Sequence, residues 1–486
     1  MKYPQIFASP FLVSVLVVAL AGASGCTPAK DGAGSDDPAG GGSGASQGGG
    51  QSGGSGEGRA GSGGTGGSGG STGPGSAGSG GAAGSGAGSA GMGGGAGGSA
   101  DAGASAPDGA PIDPPAVAPD PGKTGGEPPE VATPPQTDLA KHRFSKTLTL
   151  NTTSSGAGVN ADIANFPVAV VLDEQNFDFS QAQRWGQDVR FSTMEGTLLP
   201  YSIELWDADA KKAALWVRVD VEGNSNSQAM VLHWGNPEAV SAANSKAVFD
   251  KDSGFLGVYH LNQDGNIEEN GYQDASWNEV HGTGVRMSAG SLEQGRVGPA
   301  TKFNNAGGGG ANVQWVKVDG PKVVSDFNGD AHPISATIWV NAESWRGYYE
   351  TLFSKGDRSW TLQRDYQGRM EACQHVGYHA CAITARPTTG EWVHWMLVQK
   401  RGSLVIYRNG SRAAGTGGNA RYGDHAFGIG NQTQYNMGND WKRGFHGLID
   451  EVRVMNVEKN ADWAKLDYES QKPDSKFLTF GPTQTK

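Results

Sequence analysis

Residues 392–398 read Trp-Val-His-Trp-Met-Leu-Val, a short run that is apolar at odd and even positions alike. A strand with apolar side chains on both faces is typical of the interior of packed sheets. Upstream, residues 334–340 alternate with a period of two, which indicates another strand. Downstream, residues 404–407 lead into Asn409-Gly410, and Asn-Gly is a strong hairpin signal. The segment 251–486 is therefore predicted to be a β-sandwich.

The preceding segment, residues 139–250, also consists of short alternating runs bounded by turn residues. Pro167–Leu172 reads as a buried strand, and the apolar positions of 215–221 alternate with Trp216, Arg218 and Asp220. No helix longer than a turn or two is indicated. We predict an all-β protein with two β-sandwich domains, 139–250 and 251–486.

The N-terminal part of the chain has a different composition. Residues 31–110 hold 36 of the 79 glycines, and no Leu, Phe, Tyr or Trp occurs from Thr27 to Asp138. Such a segment cannot bury enough apolar surface to offset the entropy lost on ordering. Residues 26–138 are interpreted as a disordered linker, Gly/Ser-rich at first and Pro-rich from about residue 107.

The charge of the chain is concentrated in the same part. Residues 1–138 contain 4 Lys and Arg against 11 Asp and Glu, and the remainder contains 34 against 38. The two net charges, −7 and −4, add up to the −11 of the whole chain. A nearly neutral folded region lacks the basic footprint of a nucleic-acid-binding protein. We expect no nucleic-acid partner.

The first 25 residues read as a signal peptide. Phe11–Leu20 is a ten-residue apolar run, too short for a membrane-spanning helix. It is followed by Ser24-Gly25-Cys26, which resembles the lipobox of bacterial lipoproteins. The resemblance implies that Cys26 is acylated and becomes the mature N-terminus, with the protein anchored at the cell envelope, on the outer membrane surface. Ala23 stands where Leu is usual, so ordinary cleavage after Ala23 remains the alternative.

The other two cysteines are Cys373 and Cys381. A hairpin centred on Gly377 would place them opposite each other and would also place His375 opposite His379. In an oxidising compartment we predict a disulfide between the cysteines. The alternatives are a zinc site, because the four side chains would share one face, and two free thiols.

Residues 139–250 resemble a bacterial family that is known only as a domain of unknown function. That family occurs in exported proteins and in fusions to ExbB-like proton-channel components. The stretches that carry the resemblance are Phe166–Leu172, Gly186–Phe191, Leu198–Asp207, Ala214–Val217 and His233–Asn236. The resemblance implies a recurring fold and no particular chemistry.

Residues 251–486 resemble the laminin-G-like jelly rolls of the concanavalin A-like lectin/glucanase superfamily. The stretches that carry this resemblance are Gly257–Leu261, Asp274–Asn278, Gly298–Phe303, Ile334–Val340, Ile406–Gly410 and Phe445–Val452. The resemblance implies a jelly roll, a fold that hosts lectins, hydrolases and spacer modules alike. Function must therefore be argued from particular residues.

The glycoside hydrolases of this superfamily use a Glu-x-Asp-x-Glu strand whose two glutamates flank the scissile bond. The nearest stretch here is 448–452, where Leu448 and Val452 stand at the two glutamate positions. That strand cannot perform the reaction, so we predict no catalytic residues and no enzyme.

A calcium site is implied by the same resemblance. It would bring together Asp274, in the Asp-x-Ser-x-Asn turn, and Asp450, which shares the inward phase of Leu448 and Val452. Oxygen ligands of this kind suit calcium, which we expect as a structural cofactor. The alternative is that both carboxylates only accept hydrogen bonds.

Two loops are rich in aromatic residues that could stack on sugar rings: one carries Trp345 and Tyr348, the other Tyr435 and Trp441. The alternative is that these rings only close the ends of the sandwich. We expect a surface-tethered, non-catalytic binding module for a glycan or matrix component. A structural or adhesive envelope protein that binds another protein, and a glycoside hydrolase, remain as alternatives.

Overall fold

The structure, a computed structural model, describes residues 137–265, 267–306, 312–356, 359–375, 379–433 and 443–486. The all-β class and the sandwich architecture are confirmed. The first sandwich contains β1 Phe144–Leu150, β2 Ile163–Asp173, β3 Arg190–Thr193, β4 Leu198–Leu199, β5 Tyr201–Asp207, β6 Lys212–Val221 and β7 Ala229–Trp234. Its helical segments are the short turns Leu139–Lys141 and Phe179–Gln181 and the helix α1 Ser245–Val248.

The second sandwich contains β8 Phe255–Tyr259, β9 Gly282–Val285, β10 Leu292–Gln294, β11 Pro299–Phe303, β12 Trp315–Val318, β13 Ile334–Ala342, β14 Thr351–Ser354, β15 Trp360–Arg364, β16 Met370–His375, β17 His379–Ile383, β18 Trp392–Lys400, β19 Ser403–Arg408, β20 Ser411–Thr416, β21 Phe427–Ile429 and β22 Gly447–Met455. Two helices, α2 Pro321–Asp326 and α3 Ala461–Gln471, and the last strand, β23 Leu478–Thr485, complete the described elements.

Two antiparallel sheets form each sandwich. In the first, β23-β1-β7-β3-β4 faces β2-β6-β5. In the second, β10-β11-β22-β13-β18-β19-β20, with β8 also paired to β22, faces β17-β16-β15-β14-β21-β12-β9. The Asn409-Gly410 hairpin joins β19 to β20, and both residues have positive φ as a tight turn requires.

The last strand differs from the sequence expectation that residues 251–486 form one domain. β23 pairs with β1 of the first sandwich, with Phe144 opposite Thr485 and Leu150 opposite Leu478. Without β23, the backbone groups along that side of β1 would lie at an open sheet edge. The chain therefore returns to its first domain after completing the second.

The two sandwiches share buried apolar contacts. Phe166 packs edge-on against Trp463 at a ring-centroid distance of 5.8 Å, and Phe249 against Phe255 at 5.3 Å. Helix α3, which contributes Trp463, begins after Asn460, whose side chain accepts the N–H of Trp463 at 2.8 Å and so caps the helix. None of the helices in the described ranges is long and apolar enough to cross a membrane.

Candidate binding site

The loop between β13 and β14 presents aromatic residues at one end of the second sandwich. Tyr348 is 61% exposed, and Tyr349 is half-buried with φ +59°. A bulky residue keeps a positive φ only where its surroundings hold it there. The buried Glu350 provides that support: one carboxylate oxygen accepts the N–H of Arg346 at 2.8 Å, and the other lies 3.3 Å from Arg364 Nη1. Burial raises the pKa of Glu350, and these partners oppose the shift.

The turn between β15 and β16 adds a third tyrosine. Tyr366 is 58% exposed. Its turn is fixed by the buried Asp365, which accepts the N–H groups of Gln367 at 2.9 Å and Arg369 at 2.7 Å, and by Gly368 at φ +84°. Tyr366 was not among the residues predicted to bind a ligand, although Asp365-Tyr-Gln-Gly368 is an ordinary turn signal.

We call Tyr348, Tyr349 and Tyr366 the tyrosine patch. The rings of Tyr349 and Tyr366 lie 6.5 Å apart with an interplanar angle of 47°. The guanidinium of Arg443 lies 5.1 Å from the centroid of the Tyr349 ring, a cation–π distance. The patch thus combines the exposed rings of Tyr348 and Tyr366 with the half-buried ring of Tyr349, which packs against Arg443.

The other aromatic residues predicted for ligand binding have different positions. Trp345 is half-buried: its indole N–H donates to Thr388 O at 3.0 Å, and its ring packs edge-on against Phe445 at 5.5 Å. It therefore supports the loop beside the patch. Tyr435 and Trp441 lie outside the described residues.

The two cysteines form the predicted disulfide. Cys373 and Cys381 are register partners in the β16–β17 hairpin, and their sulfur atoms lie 2.05 Å apart. The bond excludes the zinc and free-thiol alternatives for this pair. Cys26, the predicted lipidation site, lies outside the described residues.

Asp274 is a buried hydrogen-bond acceptor. Its Oδ1 accepts N–H groups of Val258 and Ser276 at 2.8 Å each. Its Oδ2 accepts the Ser276 hydroxyl at 2.9 Å and the N–H of Val280 at 3.0 Å. Burial raises the pKa of Asp274, although these bonds oppose the shift. With four donors aimed at its two oxygens, the carboxylate is satisfied without an ion.

Asp450 is also fully buried, as its predicted inward phase requires. Its Oδ2 accepts the N–H of Arg296 at 2.5 Å and of Val297 at 3.3 Å. Burial and the adjacent Glu451 raise the pKa of Asp450 well above its usual value.

Asp274 and Asp450 share no hydrogen-bond partner, and neither belongs to a cluster of three potential metal ligands within the described part of the chain. Calcium needs several oxygen ligands, whereas both oxygens of Asp274 and Oδ2 of Asp450 meet N–H or O–H donors. Asp450 Oδ1 is buried and has no hydrogen-bond partner among the described residues. The residues present do not fit the ion, and the hydrogen-bond alternative is favoured.

One buried cluster of ligand-type side chains does lie at the junction of the sandwiches. Glu204 of β5, His260 and Glu451 of β22 place their ligand atoms within 4.8 Å of one another. However, Glu204 Oε2 accepts the Trp216 indole N–H at 2.8 Å, and Glu451 Oε2 accepts Arg453 Nη2 at 2.7 Å. These donors make the cluster a hydrogen-bonded charge network. Its complete burial also keeps these carboxylates away from any polymeric substrate.

Comparison with known families places the same two domains in the same order. Residues 185–264 match a family model described as a domain of unknown function, DUF2341. Residues 311–465, which include the tyrosine patch, match a laminin-G model described as concanavalin A-like lectin/glucanases superfamily. No curated protein matches the chain.

Several solved structures are similar to part of the chain. Domain 4 of AbnA, a GH43 extracellular arabinanase from Geobacillus stearothermophilus solved with arabinotriose, is 16% identical, with a TM-score of 0.33, and 45% of this chain and 98% of that domain are covered. The binding domain of Paraclostridial Mosquitocidal Protein 1 is 11% identical, with a TM-score of 0.34 and coverages of 46% and 53%. The binding domain of botulinum neurotoxin DC, in complex with SialylT, is 13% identical, with a TM-score of 0.34 and coverages of 46% and 52%. The chain thus spans about half the length of the two toxin domains.

Proposed function

We propose that this protein is a non-catalytic binding module, tethered to the cell envelope by a lipid on Cys26, and that its second sandwich binds carbohydrate at the tyrosine patch. The observation that carries the proposal is that Tyr348 and Tyr366, each more than half exposed, lie on two internally fixed turns that are joined by the 6.5 Å ring contact of Tyr349 with Tyr366. Exposed apolar side chains that lie together in one patch mark interaction sites, whereas singly exposed ones are common.

The chemistry of the patch suits a sugar ring. Aromatic faces stack on the apolar C–H face of a pyranose, and the tyrosine hydroxyls can hydrogen-bond to its edge. Backbone N–H groups donate to Glu350 and Asp365 and so fix the conformation of the two turns. Little conformational entropy is therefore lost when a ligand orders Tyr348 and Tyr366.

A glycan array probed with the full-length chain tests the proposal. We expect binding to a restricted set of glycans, and we expect the Tyr348→Ala/Tyr366→Ala double variant to lose it. Tyr422→Ala is the matched control, because Tyr422 is 57% exposed on a different loop. If the wild-type protein binds no glycan, or the double variant binds as well as the control, the carbohydrate proposal fails and binding of another envelope protein becomes the better explanation.

A further inference from the structure

A second concave surface lies on the first sandwich. It is bounded by the segment 174–184, by the turn that contains Ala208 and Lys211, and by Thr483 of β23. The cleft has a volume of about 850 Å³ and is open to solvent. This volume lies within the range of small-ligand sites in proteins.

Lys146 reaches this cleft from β1. It has the same inward phase as Leu148 and Leu150, which are fully buried, and it is itself only 7% exposed. A charged side chain in a core position destabilises the fold unless it is paired or bound. The buried ammonium of Lys146 therefore needs hydrogen-bond or ion-pair partners.

The described residues satisfy only part of the hydrogen-bonding capacity of Lys146. The Lys146 ammonium donates to the carbonyl oxygen of Asn176, but an ammonium carries three N–H donors. In the described ranges no carboxylate lies within ion-pair distance of Lys146. Burial lowers the pKa of Lys146, and a bound anion would oppose that shift.

The other cations that line the cleft are already paired. Lys211 Nζ lies 3.2 Å from Glu174 Oε2, and Arg184 Nη2 lies 2.9 Å from Asp209 Oδ2. Lys146 is thus the lining cation for which the described residues provide no acidic partner. This unpaired positive charge favours an anionic ligand.

The wall beside Lys146 is apolar and rigid. The rings of Phe177 and Phe179 pack edge-on at 5.0 Å, and Trp206 packs behind them at 5.7 and 5.3 Å. Both phenylalanines are buried, with exposed fractions of 4% and 6%, so only a small part of each side chain lines the cleft. Gln175 adds an amide group beside the wall, whereas the Asn176 amide bonds to the backbone of Val171 and Asp173. The lining also includes Asp178, whose carboxylate accepts the Ser180 hydroxyl at 2.6 Å. A ligand that matches this lining has one apolar face, several hydroxyls and one negative charge.

We propose that this cleft binds a carboxylated sugar, namely a hexuronate unit of an acidic polysaccharide. The carboxylate would pair with Lys146, and the C–H face of the sugar ring would contact the small parts of Phe177 and Phe179 that line the cleft. An acidic peptide is a different ligand class, and the lining favours it less. Peptides often bind by pairing with a free strand edge, whereas the groups named here are side chains.

Calorimetric titration of the full-length chain with hexagalacturonate tests this proposal, with the corresponding neutral galactose oligomer as the uncharged probe. We expect binding of the uronate only, and weakening by roughly ten-fold or more in Lys146→Met, since a hydrogen bond to a charged group is lost. Methionine keeps the apolar stem, and Lys146→Arg, which keeps the charge, should retain most of the affinity. Thermal melts of the variants separate loss of binding from loss of folding.

Lys211→Met is the matched control, because Lys211 lines the same cleft but is paired with Glu174. Equal binding of the uronate and the neutral oligomer, no binding of either, or unchanged affinity in Lys146→Met would overturn the proposal. So would displacement of the uronate by an acidic peptide of higher affinity. The Tyr348→Ala/Tyr366→Ala variant should bind hexagalacturonate at this cleft normally, so failure here is distinct from failure of the tyrosine patch.

Discussion

His260 Nδ1 lies 2.5 Å from Glu451 Oε1 in the junction between the two sandwiches, and both side chains are buried. Glu204 of the first sandwich approaches the same histidine nitrogen at 3.5 Å. Burial alone would raise the pKa of Glu451, but His260 and Arg453 bring it below its usual value. Burial raises the pKa of Glu204 well above its usual value, and Glu451 and Asp450 add to that effect. The junction therefore shifts the pKa values of its two glutamates in opposite directions.

The first prediction concerns Glu204 and pH. The groups that face it are Trp216, His260, Glu451 and Asp450. The unfolded chain releases the Glu204 proton near the ordinary glutamate value of 4.5, whereas the folded protein releases it at a higher pH. The folded state then binds more protons, so the free energy of unfolding falls as pH rises above 4.5, by at most about 1.4 kcal/mol per pH unit for one proton.

Glu204→Gln should remove this loss, because a glutamine amide remains neutral and can still donate to Glu451. We expect the variant to be more stable than the wild type at pH 8 and to show a weaker decline between pH 5 and pH 8. Urea unfolding across that interval measures both. Glu174→Gln, at the exposed pair with Lys211, is the control. An unchanged pH slope in Glu204→Gln would show that Glu204 is already ionised.

The second prediction concerns Arg453, the cation of the same network. Its guanidinium contacts Glu451 at 2.7 Å and Asp467 at 3.0 Å, and lies 4.2 Å from the centroid of the Trp216 ring. Arg453→Met leaves two carboxylates buried without their cation, which should lower the free energy of unfolding by about 3–5 kcal/mol. Urea unfolding followed by tryptophan fluorescence measures the change.

Arg184→Met is the comparison for that experiment, because Arg184 forms an exposed pair with Asp209 and should contribute little. If Arg453→Met were no more destabilising than Arg184→Met, the junction network would not hold the two sandwiches together.

These buried charges show where reasoning from the sequence stops. Glu204 alternates with Ile203 and Leu205, and Arg453 with Val452 and Val454, so the period-two pattern assigns both charges to a solvent face. In the structure the second sandwich covers the outer face of β5, and helix α3 supplies Asp467 to Arg453. Periodicity distinguishes the two faces of a strand, but it does not show what covers each face.

Strand pairing also divides into contacts that the sequence predicts and contacts that it does not. The pattern and the turn residues predict the local pairings, such as the Asn409-Gly410 hairpin and Cys373 opposite Cys381. They do not predict that Leu478 pairs with Leu150, because a long-range partner is chosen by tertiary packing. Of the candidate site, the aromatic loop with Tyr348 could be predicted, whereas Tyr366 joins it only through the fold.

The third prediction concerns the disulfide. Cys373 and Cys381 are separated by 8 positions, so the closed loop is short, and the chain-entropy model gives a stabilisation of about 2–3 kcal/mol. The Cys373→Ala/Cys381→Ala variant should lose that amount in urea unfolding. Thiol titration of the unfolded, unreduced wild type should detect neither cysteine, and two titratable thiols at these positions would contradict the bond.

The fourth prediction concerns the N-terminus. The apolar run Phe11–Leu20 and the Ser24-Gly25-Cys26 sequence lead us to expect a mature chain that begins with diacylated Cys26. Mass spectrometry of the N-terminal peptide measures this, and Cys26→Ser should release the protein from the membrane fraction. An unmodified terminus at Ser24 would show that an ordinary signal peptidase cleaves the chain.

The last prediction concerns calcium. Asp274 meets four hydrogen-bond donors, and Asp450 Oδ2 meets two backbone N–H groups. Because burial and the adjacent Glu451 raise the pKa of Asp450, the folded protein favours its neutral form and depends less on a cation to compensate its charge. We therefore expect thermal melts of the full-length chain in excess calcium and in chelator to have the same midpoint. Asp450→Asn, which replaces the carboxyl group by a neutral amide of the same shape, should melt close to the wild type in both. A ligand that binds only the folded state raises the midpoint by mass action. If calcium raised the midpoint of the wild type but not that of Asp450→Asn, the two carboxylates would form the calcium site that the family resemblance implies.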